Sequence, residues 1–87
     1  MPVISMFYGI IISMFAGNQE HNPHNFHAKF DEYNAVFSLD GELLEGEFPP
    51  KKIKMVQVWA DIHHDELKAD WEISRANSLP YKIEPLK

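Results

Sequence analysis

The stretch EHNPHNFHAKF, residues 20–30, sets His21, His24 and His27 three residues apart and follows them with Lys29. Imidazole suits Zn²⁺ or Ni²⁺, and three protein ligands with one open position is the ligand count of a catalytic zinc centre. His21, His24 and His27 are therefore the candidate metal ligands, with Glu20 and Asp31 able to add oxygens. The same residues suggest a second chemistry. Histidine titrates near neutral pH and can serve as acid and base in RNA cleavage without a metal. His21, His24, His27 and Lys29 are the candidates for that role, His27 and Lys29 pointing to one face if the segment is a strand.

The structural alternative is a polar loop whose imidazoles hydrogen-bond to the backbone. Pro23 pushes Asn22 out of the helical region, and Gly17, Asn18 and Asn22 are turn formers, so the three histidines do not share a helix face. That spacing is not the helix or tight-hairpin arrangement that usually presents two metal ligands. No cofactor is expected on this ground, with a divalent transition metal such as Zn as the alternative. His63 falls on an apolar helical stripe and reads as half-buried and hydrogen-bonded. Asp61, Asp65, Glu66, Asp70 and Glu72, interspersed with Lys68 and Arg75, read as a solvated helix face.

With 13 acidic against 8 basic side chains the formal net charge is −5. Nucleic-acid binding needs a basic face, and Lys51, Lys52 and Lys54 make only a weak one, so direct binding by this chain is not expected. A protein partner fits the acidic, aromatic composition better, and self-association stays open. The chain has no cysteine, which excludes disulfides and thiolate sites and favours the cytoplasm. The apolar run VISMFYGIIISMFAG, residues 3–17, is shorter than the ~20 residues of a membrane span and lacks a basic flank. It reads as a buried structural element, and no membrane association is expected.

The elements that must position these residues follow from periodicity. Residues 3–15 are dense in β-branched and aromatic side chains and read as one strand buried on both faces, Gly9 marking a bulge or close backbone approach. Phe26, Ala28 and Phe30 alternate with His27 and Lys29; Tyr33, Ala35, Phe37 and Leu39 form a second alternation after Asp31-Glu32. Asp40-Gly41 is a hairpin signal leading to a short strand over residues 42–48. Beyond Pro49-Pro50, Ile53, Val56, Trp59, Ala60, His63, Leu67, Trp71 and Ser74 recur at helical spacing. They fit either one long helix or two shorter ones broken near His63-His64-Asp65, Asp65 then capping the second. Pro80 and Pro85 keep the tail extended. The expectation is a single α+β domain over residues 1–87, a β-meander of three to four strands packed against one or two C-terminal helices.

Taken in order, MPVISMFYGIIISMF, EHNPHNFHAKF, EGEFPP, VWADIHHDELKADWE and KIEPLK resemble the bacterial domain of unknown function family numbered 4160 over essentially the whole chain. The resemblance implies a small bacterial protein encoded beside another small protein, the two forming a toxin–antitoxin-type module. The family's loop commonly reads His-Asn-Pro-Pro-His-Phe-His-Ala. His21, Asn22, Pro23, Phe26, His27 and Ala28 match it, whereas His24 stands at the second proline and Asn25 at the middle histidine. Asn25 can hydrogen-bond but cannot act as an acid, which puts a shared catalytic role in doubt unless His24 substitutes from one residue away. The functional expectation is a cytoplasmic protein acting by contact with a cognate small protein. The alternative is a small histidine-dependent hydrolase, RNA-directed or metal-assisted, built on the 21–27 loop.

Overall fold

In the computed structural model, which describes residues 1–15 and 23–87, the N-terminal apolar run does not continue as one strand. Tyr8 and Gly9 both adopt positive φ, 50° and 81°, the pair of left-handed positions a two-residue type I′ turn demands. The run therefore folds back on itself as β1 (Val3–Phe7) and β2 (Ile10–Ser13). This corrects the single strand buried on both faces: Ile4, Phe7, Ile10 and Ile12 are buried, while Met6 is exposed and Val3 and Ile11 are half-buried. The hairpin places one apolar row inside and a second row on the opposite face.

Three further strands follow: β3 (Asn25–Phe30), β4 (Tyr33–Ser38) and β5 (Leu43–Gly46). Asp31-Glu32 turns β3 into β4, and Asp31 takes φ 51° there. The Asp40-Gly41 turn is closed by Gly41 N–H to the Ser38 carbonyl at 2.9 Å and Ser38 N–H to the Glu42 carbonyl at 2.8 Å. The result is a five-stranded antiparallel sheet in the order β1-β2-β3-β4-β5, one strand more than the upper expectation because of the N-terminal hairpin. At Gly46, φ is +87° and a Cβ would collide with the Asn34 carbonyl oxygen, so the β4–β5 approach depends on that glycine.

The C-terminal half is two helices, α1 (Pro50–Ile62) and α2 (His64–Arg75), broken at His63 with φ −107° and ψ 26°. The expected cap, Asp65, lies inside the first turn of α2 instead, and His63 holds the N-cap position without a side-chain cap hydrogen bond. Asp65 and Glu66 still act on the helix start through its dipole, and Glu66 Oε1 lies 2.7 Å from His63 Nδ1. His63 is half-buried, as its place on the stripe predicted.

One face of the sheet carries the core. Ile4, Ile10, Ile12, Phe26, Ala28, Ala35 and Phe37 meet Val56, Trp59, Ala60, Leu67 and Trp71 of the helices in one cluster. Phe26 packs on Phe37 across β3 and β4 with ring centroids 5.7 Å apart and meets Trp59 edge-on at the same distance; Phe7 meets Trp59 at 5.4 Å. Such pairs add ~0.5–1.5 kcal/mol each beyond the area they bury. The tail straps this layer: Tyr81 N–H donates to Asp70 Oδ1 at 3.0 Å, Trp59 Nε1–H to the Glu84 carbonyl at 2.9 Å, and Ile83 N–H to the Ile4 carbonyl of β1 at 2.7 Å. No helix among the described residues is long and apolar enough to cross a membrane.

Candidate functional site on the open sheet face

Both helices lie on one side of the sheet, so the register of the other side defines a surface. Pairing aligns Val3, Ser13, His27, Val36 and Glu45 in one row across all five strands. A second row runs Met6, Ile11, Lys29 and Asn34. Directly paired residues point to the same side of a pleated sheet. The residues on either side of His27 along β3, Phe26 and Ala28, are buried in the core, which turns His27 and Lys29 outward. Apart from Met6, the residues of these rows line a concavity of about 360 Å³, which Met1 also lines.

The chemistry of this face is mixed. Val3, Ile11 and Val36 are apolar; polar His27 and Lys29 stand on central β3, with Ser13, Asn34 and Glu45 on the strands beside it. His27 sits between Ser13 and Val36, half-buried, while Glu45 lies two strands away, about 10 Å at the usual strand spacing.

Of the residues that sequence spacing singled out, His27 and Lys29 come together on this face. His24 does not join them. It stacks on Trp71 of α2, centroids 4.7 Å apart and planes 23° apart, and so lies on the helix-covered side. A separation of three residues puts His24 and His27 on opposite faces wherever the chain is extended. His21 lies outside the described residues. Among the described residues no three His, Asp or Glu side chains are placed to hold a metal ion. His24 instead lines a second concavity with Ser38, Asp40, His64 and Lys68.

Sequence reasoning missed Ser13, Val36 and Glu45 as neighbours of His27, because their convergence is a matter of cross-strand register. The signals that could have found Val36 and Glu45 are the turns at Asp31-Glu32 and Asp40-Gly41, which join β3 to β4 and β4 to β5, whereas the Tyr8-Gly9 turn sets only β1 on β2.

No curated protein and no solved structure matches the chain. A family model described as Domain of unknown function (DUF4160) matches residues 9–72. That stretch includes β2 to β5, the break between the helices and both concavities' polar residues. With a match over most of its 87 residues and the ordered sheet-then-helices layout to go with it, the chain belongs to the DUF4160 family.

Proposed function

We propose that the chain works by protein–protein contact, its uncovered sheet face receiving a small cognate protein as one half of a toxin–antitoxin-type pair in the cytoplasm. One observation carries this reading: a five-stranded sheet has helices on one side only, and the other side sets the apolar side chains Val3, Ile11 and Val36 among polar groups. Apolar side chains interspersed with hydrogen-bonding groups suit a protein recognition surface. Met6, 62% exposed on edge strand β1 and paired with Ile11, extends the apolar area. The chain's charge of −5 favours a partner of basic character, whose approach it would steer. The pairing with a neighbouring small protein rests on the family resemblance.

The test is co-purification of the tagged chain with the product of the adjacent gene. Ile11→Asp with Val36→Asp should abolish capture, at least a tenfold loss of affinity, while the far-UV circular dichroism is unchanged because both side chains lie outside the core. Undiminished capture by the double variant would remove this face from the account.

A hydrolytic reading has one observation in its favour. His27 and Lys29 share the open face with the Ser13 hydroxyl, an arrangement able to hold and protonate a phosphodiester. His27→Ala separates the two: loss of growth inhibition with partner capture intact supports hydrolysis, and weakened capture supports docking.

A further inference from the structure

The second concavity, beside α2 on the helix-covered side, holds groups that sequence spacing did not connect. Pro23, His24, Ser38, Leu39, Asp40, His64 and Lys68 line a space of about 360 Å³. They come from three separate stretches: the entry to β3, the β4–β5 turn and the first two turns of α2. In a chain with 13 acidic and 8 basic residues, this lining has two imidazoles and an ammonium against one carboxylate. The carboxylate is already engaged, since Asp40 Oδ1 lies 2.9 Å from His64 Nε2. Among the described residues Lys68 has no ion-pair partner. It sits one turn after His64, so the two project from the same face of α2.

His24 adds a flat surface. Stacking on fully buried Trp71 fixes one face of its ring, and the residue itself is exposed. An anchored imidazole with an outward face is a stacking platform for a planar ring. We infer that this concavity binds a small phosphate monoester carrying a planar ring, the ring stacked on His24 and the phosphate held by Lys68 and His64, with Asp40 orienting His64. The volume falls within the ~300–1,000 Å³ of small-ligand pockets. An ammonium and an imidazole are the donors that charge-assisted phosphate contacts use. The site is independent of the open sheet face, which lies on the opposite side of the sheet.

The experiment is a nuclear magnetic resonance titration of the full chain, following the His24 and His64 imidazole signals and the Trp71 indole signal. Adenosine 5′-monophosphate should shift all three saturably. Ribose 5-phosphate, which lacks the ring, should shift His64 alone, and adenosine should shift His24 and Trp71 alone. Lys68→Gln should weaken the monophosphate about tenfold, the loss of one charge-assisted contact, and His24→Ala should remove the Trp71 response. Unchanged circular dichroism of both variants confirms their fold. Absence of saturable shifts at millimolar ligand, or shifts that persist undiminished in Lys68→Gln, would overturn the assignment. Equal or tighter binding of a short single-stranded oligonucleotide at the same residues would overturn the choice of a small molecule.

Discussion

At the scale of single residues, Asp70 sets the sharpest condition on the fold. It is almost fully buried, and burial holds its carboxyl above the ordinary carboxylate value, opposed by the hydrogen bond from the Tyr81 backbone and reinforced by Glu66. The folded state thus keeps a proton that the unfolded state releases at lower pH. The stability that protonation contributes is fully present below the unfolded carboxylate value and is lost as pH rises through the folded one. Asp70→Asn keeps an acceptor for the Tyr81 N–H without the charge. Its melting temperature relative to the native chain should rise as pH increases from about 3.9, the ordinary carboxylate value, toward neutrality, measured by thermal unfolding at several pH values. Asp70→Ala strands the Tyr81 N–H and should cost about 1–3 kcal/mol at low pH, a cost that shrinks toward neutrality as the native chain loses the stability of its protonated carboxyl. Gly46→Ala forces a Cβ toward the Asn34 carbonyl in left-handed backbone. It should destabilise by more than the ~1 kcal/mol of the backbone conformation alone, read from denaturant unfolding. The histidines show why residue types are legible in a sequence and their convergence is not. His24 and His27 share a motif but not a face, and His24 comes to line one concavity with His64, 40 positions on, only through the docking of α2.

Among the elements, those with a clean period were readable in advance. Phe26-Ala28-Phe30 and Tyr33-Ala35-Phe37 alternate and became β3 and β4, with Phe26, Ala28, Ala35 and Phe37 buried, Phe30 half-buried and Tyr33 exposed where the two strands meet at their turn. The helical stripe from Val56 to Ser74 is the buried face of α1 and α2. The N-terminal hairpin escaped notice because its turn is Tyr8-Gly9 rather than Asn-Gly, and because both of its faces carry apolar residues, which hides the period of two. Gly9→Ala should therefore destabilise the hairpin by about 1–2 kcal/mol through left-handed strain, seen as faster amide exchange in β1 and β2 than in β3 and β4. The tail is an element held by tertiary bonds alone. Trp59→Phe removes the donor to the Glu84 carbonyl while keeping most of the buried ring. The expected cost is about 1 kcal/mol, with proteolysis after Lys82 accelerated and the sheet intact.

For the whole molecule, the distribution of covered and uncovered surface decides the reading. The helices cover one side of the sheet with aromatic rings, and the tail hydrogen-bonds to β1 at Ile4. The outer edge of β5 is short, bulged and bears Glu45, features that blunt edge-to-edge pairing. What remains available is the face centred on His27, Ile11 and Val36. The helices also expose apolar side chains, Val58 and Ile62, and these provide an internal control. The decisive measurement is methyl-selective nuclear magnetic resonance of the chain with and without the proposed partner, the small protein that the family resemblance implies is encoded beside it. If the open face is the working surface, the Val3, Ile11 and Val36 methyl signals shift on complex formation while those of Val58 and Ile62 stay in place; shifts at Val58 and Ile62 with Ile11 and Val36 unmoved would contradict the account.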